Sequence, residues 1–188
     1  MHSEVKKIYN FFQQDFLPLE TFRVLSYDKA NKINWIQNTE KAFDFDKIKN
    51  TLYNVSPLPT SVDALFFGNC IAFIEFKNST DKIKSKCRDK ARDSIMIYRF
   101  YLQSCNLTGV NQKDIKTKFI VVINSGSFGK PSAAYSAALS KSAGIENSLL
   151  RELKNKFTGK NFLKEDTYYT EVDVWNDIDF DRKLLSIK

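Results

Sequence analysis

The sequence predicts a single α/β domain, residues 1–188, in which helices cover a β-sheet. Three observations indicate this: an apolar hairpin over Ser61–Lys77, a long amphipathic helix over Thr80–Ser104, and another apolar strand over Lys118–Asn124. The hairpin is apolar on both faces, which is typical of strands at the centre of a covered sheet. A length of 188 residues fits one domain, and 43% hydrophobic residues are sufficient for a packed core.

The part before the hairpin, about residues 1–56, is predicted to be mostly helical, and about residues 57–175 form the core. Ser3 can cap the first helix, whose apolar residues follow helical spacing. The elements predicted in this part are helices at Ser3–Phe16, Asn34–Phe43 and Phe45–Val55, and a short strand at Thr21–Tyr27.

The core begins with strands at Ser61–Phe67 and Cys70–Lys77, joined by a Gly-Asn turn. After the long helix and the strand Lys118–Asn124, the segment Ser125–Gly144 is rich in Ser, Ala and Gly. That composition fits either a loop or a weak helix around residues 133–142. The remaining predictions are a helix at Asn147–Phe157, a strand at Thr167–Trp175 and a polar tail.

The chain contains one histidine, His2. A Ser-His-Asp triad, a metal nuclease site with a histidine ligand and a zinc site of mixed cysteine and histidine are therefore excluded within it. Cys70, Cys87 and Cys105 form no CxxC pair, so we expect free thiols. Enzymatic chemistry must then come from carboxylates, lysines, hydroxyls or thiols.

Charged residues interrupt the apolar hairpin. Glu75 and Lys77 are two residues apart on one strand and therefore face the same side of the sheet. The turn folds the first strand back, which lets Asp63 approach Glu75. Two converging carboxylates repel each other, and a divalent cation such as Mg²⁺, which prefers oxygen ligands, relieves that repulsion. Lys77 can then orient a water and stabilise charge on a phosphate, or it can simply pair with Glu75.

The segment Ser61–Asn78 resembles the motif of the PD-(D/E)xK nuclease superfamily: an acid on one strand, a hairpin, two apolar residues, Glu-x-Lys and then a helix. An acid-x-Lys pattern occurs five times in the chain, but only Glu75 ends an apolar strand that follows another strand with an acid. With the next helix and strand, the resemblance covers residues 61–124. It implies a central mixed β-sheet flanked by helices, which is a restriction-endonuclease-like core.

The resemblance also implies roles for individual residues. Asp63, Glu75 and Lys77 match the catalytic residues of the motif. Asp63 and Glu75, with the main-chain carbonyl of Phe76, match ligands of Mg²⁺ or Mn²⁺. The chain departs from the pattern because no proline directly precedes Asp63. Many members add a glutamate from an N-terminal helix, and the candidates for that position are Glu20 and Glu40.

Positive charge is concentrated around the motif. The net charge is +7, and the segment from Lys77 to Asp93 holds seven basic residues against three acidic ones. Such a surplus favours an anionic partner, nucleic acid first. Lys86, Lys90 and Ser94 are spaced four residues apart on one helix face, so they can contact a phosphate backbone or approach the metal site. The alternative is an ordinary solvated helix face.

These features predict a metal-dependent nuclease, with DNA favoured over RNA and a homodimer compatible with cutting both strands. The alternatives are a catalytically inactive nuclease-fold protein that binds nucleic acid or a protein partner, and a basic α/β protein with an unrelated role. Residues 1–10 lack the apolar region of a secretory signal, and no apolar run approaches the ~20 residues of a membrane helix. We therefore expect a cytoplasmic protein.

Overall fold

The structure, a computed structural model, describes residues 2–15, 17–52, 58–78, 83–107, 115–128, 134–157 and 168–188. Its elements in chain order are α1 (Ser3–Gln14), β1 (Leu19–Thr21), α2 (Phe22–Leu25), β2 (Tyr27–Asp28), β3 (Ile33–Asn34), β4 (Lys41–Asp44), α3 (Phe45–Leu52), β5 (Ala64–Phe67), β6 (Ile71–Lys77), α4 (Ile83–Ser104), β7 (Thr117–Ile123), α5 (Ala134–Phe157), β8 (Glu171–Asn176) and α6 (Phe180–Ile187). A 3₁₀ turn at Ser125–Phe128 lies between β7 and α5.

A six-stranded mixed sheet has the strand order β1-β4-β5-β6-β7-β8. The strands from β1 to β6 pair antiparallel, whereas β6, β7 and β8 run parallel to one another. Parallel strands need long crossover connections, and the segments that contain α4 and α5 provide them. The predicted α/β class, with a mixed sheet flanked by helices, is confirmed. The two remaining strands, β2 and β3, form a separate hairpin.

Both faces of the sheet are covered, and the alternation of side chains along β6 shows how. Ile71 and Phe73 belong to the core formed with α1, α3, α4 and α5. Ala72 and Ile74 belong to the core formed with α2 and α6. Since side chains two residues apart share a face, Glu75 and Lys77 lie on the α4 side of the sheet.

The hairpin of β5 and β6 is confirmed, with Ala64 opposite Ile74 and Phe67 opposite Ile71. Its turn requires glycine, because a Cβ at Gly68 would lie 2.0 Å from the Ile187 carbonyl oxygen. That close approach lets α6 pack against the end of the hairpin.

The long helix is confirmed over Ile83–Ser104, whereas its predicted start at residue 80 lies outside the described residues. Its predicted apolar stripe is buried: Ile83, Cys87, Ala91, Ile95, Tyr98 and Leu102. The strand predicted at Lys118–Asn124 is β7, and it pairs in parallel with β6 along its whole length.

The helix predicted at Asn34–Phe43 is wrong. Lys41–Asp44 instead forms β4, which pairs with β1 on one side and β5 on the other. Phe43 and Ala42 are buried on opposite faces of the sheet. Pairing with two strands that are distant in sequence therefore overrides the helical spacing of the segment.

The strand predicted at Thr21–Tyr27 is also wrong. Thr21 ends β1, and its Oγ1 accepts a hydrogen bond of 3.3 Å from the Val24 N–H, so the chain turns into the short helix α2. In α1 the predicted cap is wrong too, because the helix begins at Ser3 and its N-cap residue is His2. The helix predicted over Phe45–Val55 is confirmed as far as Leu52, and residues 53–57 lie outside the described part.

The predicted helix at Asn147–Phe157 is confirmed, and it belongs to a longer helix, α5, that begins at Ala134. Of the two alternatives for the segment before it, the structure has the helix from residue 134 on, and residues 129–133 lie outside the described part. Within the tail interpreted as polar, residues 180–187 form α6, which buries Phe180, Leu184 and Ile187. The predicted strand before it is confirmed over Glu171–Asn176. No helix in the described ranges is long and apolar enough to cross a membrane.

The three cysteines are free, as expected. Burial raises the pKa of the Cys70 thiol to about 11 and that of Cys87 to about 12. Because the thiolate is the nucleophilic form, neither residue is an activated nucleophile.

Candidate active site

Asp63 and Glu75 lie at the same level on neighbouring strands. Asp63 directly precedes β5, and the pairing of Ala64 with Ile74 places it opposite Glu75. The Phe76 N–H donates a hydrogen bond of 2.6 Å to Asp63 Oδ2, which fixes the carboxyl group beside β6. The structure thus brings the two predicted acids together.

Two lysines contact the Glu75 carboxylate, which is fully buried. Lys77 Nζ forms an ion pair with Oε1, and Lys90 Nζ lies 2.8 Å from Oε2. Despite its contact with Lys77, Oε1 accepts no hydrogen bond of ordinary geometry from the described part of the chain. A buried oxygen in this condition costs stability, and the ammonium group of Lys77 is the neighbour that offsets its charge. The pairing of Glu75 with Lys77, which also fits a structural role, is therefore present.

Lys90 of α4 lies between the two acids. Its Nζ is 3.4 Å from Asp63 Oδ1 in addition to its contact with Glu75. Burial alone would lower the pKa of Lys90, but the Asp63 and Glu75 carboxylates outweigh that effect and raise it. The gap between the acids thus holds one positive charge, and it is supplied by a side chain.

Asp63 titrates far from its ordinary range. Burial, followed by the repulsion of the Glu75 carboxylate, raises its pKa from 3.8 to about 8, although Lys90 and the Phe76 N–H favour the charged form. The side chain remains 22% exposed, so it is accessible from solvent. Strongly shifted carboxyl groups of this kind cluster at functional sites.

Helix α4 positions the segment that leads to Asp63. Asp93 Oδ2 accepts hydrogen bonds of 3.1 Å from the Thr60 N–H and 2.7 Å from the Thr60 hydroxyl. One residue further along α4, Ser94 Oγ accepts a hydrogen bond of 2.8 Å from the Val62 N–H. The helix that supplies Lys90 therefore also sets the place of the first acid.

Of the three helix residues predicted to contact a phosphate backbone, only two are accessible. Lys86 is exposed one turn before Lys90, on the side of the helix that approaches the site. Ser94 is fully buried and bonded to Val62, so a phosphate cannot reach it in this conformation.

Asp46 is a further acid near the site that the sequence does not single out. It lies in the first turn of α3, directly after Phe45, whose N–H bonds to the Asp63 carbonyl at 3.2 Å. Its charge contributes to the raised pKa of Lys90, and it also accepts a hydrogen bond from the Ser61 hydroxyl. The sequence does contain a signal for this acid, because Asp46 lies in the first turn of a predicted helix shortly before the motif.

The two glutamates considered for the additional acid have other partners. Glu20 forms an ion pair of 3.2 Å with Lys47. Glu40 forms an ion pair of 2.8 Å with Lys188. Asp46, rather than either glutamate, is the acid from the N-terminal part whose charge helps to raise the pKa of Lys90.

The oxygen atoms of the site fit a hard divalent cation. Asp63 and Glu75 supply carboxylates, and one Glu75 oxygen lacks a hydrogen bond. In an antiparallel ladder the N–H and C=O of one residue point to the same neighbour, so the Phe76 carbonyl points towards the Asp63 side. No group of three or more His, Cys, Asp or Glu side chains in the described ranges is arranged to hold a metal. A third protein ligand would therefore be the main-chain carbonyl.

Comparison with known proteins leaves the site to be interpreted from its own geometry. No family model, no curated protein and no solved structure matches the chain.

Proposed function

We propose that this protein is a metal-dependent nuclease that hydrolyses phosphodiester bonds in DNA and has a restriction-endonuclease-like core. The observation that carries the proposal is the convergence of Asp63, Glu75 and Lys77 at the ends of two paired strands. A buried carboxylate beside a second carboxylate is costly to maintain. That cost supports a functional reason for the arrangement.

The order of elements supports the same proposal. The acid before β5, the β5–β6 hairpin, helix α4 and the parallel strand β7 follow one another as the resemblance implies. Glu75 and Lys77 end the central strand, and α4 returns over them. The candidate site thus lies where strand ends and a helix meet, and Asp63 opens to solvent.

Each residue has a distinct role in the proposed reaction. Asp63, Glu75 and the Phe76 carbonyl would hold Mg²⁺ or Mn²⁺, which supplies a Lewis acid for the phosphate and an activated water. Lys77 orients the attacking water and stabilises negative charge on the phosphate. Lys86 contacts the strand at a neighbouring phosphate. Water adds to phosphorus while the bond to one ester oxygen breaks.

A cleavage assay with matched lysine variants tests the proposal. Wild-type protein should nick or degrade DNA, offered as plasmid, linear duplex and single strand, in Mg²⁺ or Mn²⁺ but not in EDTA. Lys77→Ala should abolish cleavage. The matched control is Lys118→Ala, since Lys118 is similarly buried, also pairs with a glutamate, and lies at the other end of the parallel strands. If wild type never cleaves and Lys77→Ala unfolds, the charged cluster is structural.

One observation favours the second candidate, a catalytically inactive nuclease-fold protein that binds nucleic acid. Lys90 contacts both acids and supplies the positive charge that a metal would bring. Titration calorimetry with Mg²⁺, with and without DNA, separates the candidates when wild type is compared with Asp63→Ala and Lys90→Met. Binding by wild type that is lost in Asp63→Ala supports the nuclease. Binding only by Lys90→Met supports the inactive protein.

A further inference from the structure

A small cleft opens next to Asp63. It has a volume of about 180 Å³, and Asp63 forms part of its wall. The rest of the wall comes from residues 25–29, Trp35, Phe76 and Asn78. Asp63 belongs to both the cleft and the candidate active site, while Phe76 and Trp35 belong to the opposite face of the sheet from Glu75 and Lys77. A molecule in the cleft would therefore lie next to Asp63, across the end of β6 from Glu75 and Lys77.

One side of the cleft is aromatic. The Trp35 ring meets the Phe76 ring edge to face, with centroids 5.7 Å apart and an angle of 88° between the planes. Tyr27, on the β2–β3 hairpin, is 46% exposed. Aromatic side chains on an otherwise polar surface are the usual platform for unpaired bases, because every base has a face that can stack.

The other side of the cleft is polar and held in place. Asp28 accepts hydrogen bonds of 2.9 Å from the Ala30 N–H and 2.5 Å from the Asn31 amide. Asn78 also donates to Asp28 and in turn accepts a hydrogen bond from Asn124. The side-chain hydrogen bond from Asn31 is the largest influence on the Asp28 carboxyl, and its pKa is lowered. A charged carboxylate therefore stands at a fixed place on the polar side of the cleft.

The size of the cleft limits what it can hold. Pockets for drug-sized ligands start at about 300 Å³, so this one suits a single planar ring system. A whole nucleotide would extend out of it, with its sugar and phosphate towards Asp63. A base can enter only if it is unpaired, because a paired base is held in its stack.

We propose that this cleft binds one unpaired nucleobase of the substrate strand, so that the substrate is single-stranded or locally opened DNA. The position of the base beside the scissile phosphate rests on the proposed nuclease function. The binding of the base itself requires no metal and can be measured in EDTA.

Equilibrium binding of fluorescently labelled oligonucleotides in EDTA tests the proposal. Wild type should bind a single strand more tightly than the same sequence as a duplex. Tyr27→Ala and Trp35→Ala should each weaken single-strand binding about tenfold, as expected for loss of one stacked base. The matched control is Ile33→Ala, because Ile33 lies on the same hairpin with the same exposure of 46% and does not line the cleft.

A series of oligonucleotides with one abasic site each provides a second readout. At one position, removal of the base should weaken wild-type binding about tenfold and cause no further loss in Trp35→Ala, whereas Trp35→Phe, which keeps an aromatic ring, should still show a loss. Equal affinity for single strand and duplex, with no effect of Tyr27→Ala or Trp35→Ala, overturns the proposal.

The same variants separate this proposal from the nuclease assignment. If wild type cleaves duplex DNA and both aromatic variants bind and cleave normally, the base cleft is overturned while the nuclease stands. If nothing is cleaved but single strands bind through Trp35, the cleft stands and the nuclease assignment falls.

Discussion

Lys90 of α4 forms a 2.8 Å ion pair with Glu75 of β6, and this contact joins the long helix to a fully buried acid. The same ammonium group reaches Asp63 at 3.4 Å. One side chain thus contacts both carboxylates that would hold a metal, and Lys77 supplies a second positive charge beside Glu75. Whether Mg²⁺ binds with Lys90 in place, or only after its charge is removed, distinguishes a metal site from a permanent salt-bridge network.

Lys90→Met should lower the free energy of unfolding in EDTA by about 3 kcal/mol, since it removes the cation beside Asp63 and leaves the buried Glu75 carboxylate with Lys77 but without its second cation. Added Mg²⁺ should restore part of that loss by supplying the missing charge. Urea unfolding with and without Mg²⁺ measures both effects. Lys86→Met, one turn away and exposed, should change stability by less than about 0.5 kcal/mol. Equal stability of Lys90→Met and wild type would contradict the account.

The raised pKa of Asp63 makes stability depend on pH. Its pKa is 3.8 when unperturbed and about 8 in the folded protein. Between these values the folded state holds a proton that the unfolded state lacks, so rising pH favours unfolding. Without metal, the free energy of unfolding should therefore contain a contribution that falls from about pH 4 to about pH 8. Asp63→Asn should flatten this fall in urea unfolding at about pH 5 and about pH 8. The same pH dependence in both proteins would be the contrary result.

Ser94 has a structural task that can be separated from DNA binding. Ser94→Ala leaves the buried Val62 N–H without its acceptor, which should cost about 1–3 kcal/mol of stability. The affinity of the remaining folded protein for DNA should not change. Chemical unfolding and a binding titration on one preparation measure both quantities. A variant that is fully stable but binds DNA poorly would show that Ser94 contacts the nucleic acid.

The site could be predicted from the sequence where its geometry is local. Glu75 and Lys77 alternate on one strand, and the tight turn over residues 68–70 brings Asp63 back to them, so their meeting follows from short-range rules. The contact of Lys90 with both acids depends on how α4 packs against the sheet. The position of Lys90 on one face of the helix does not by itself specify that packing. Asp46 approaches only because β4 pairs with β5 across a long separation in sequence.

The error in the predicted fold at β4 has the same cause. This segment has helical spacing, yet it forms a strand because it pairs with β1 and β5, which lie next to it only in the folded chain. For α6 the information was local, because Phe180, Leu184 and Ile187 follow helical spacing. Its charged neighbours obscured that pattern.

Lys86 should contribute to binding as a phosphate contact. Lys86→Ala should weaken binding of DNA of any sequence and reduce the slope of log K against log salt by about 1. The control is Lys84→Ala, which removes the same charge from the same helix, although Lys84 is directed to Glu152 at 3.4 Å. If both variants show the same slope as wild type, Lys86 belongs to an ordinary solvated face.

A crystal structure with Mn²⁺, located by its anomalous scattering, shows whether the two acids hold a metal. We expect one Mn²⁺ peak between Asp63 and Glu75, bonded to both carboxylates and the Phe76 carbonyl, with Lys90 Nζ moved away from Glu75. The same peak should be absent in Asp63→Ala crystals. A wild-type structure in Mn²⁺ with no peak there, and with Lys90 still bridging the two acids, would contradict the metal-dependent site.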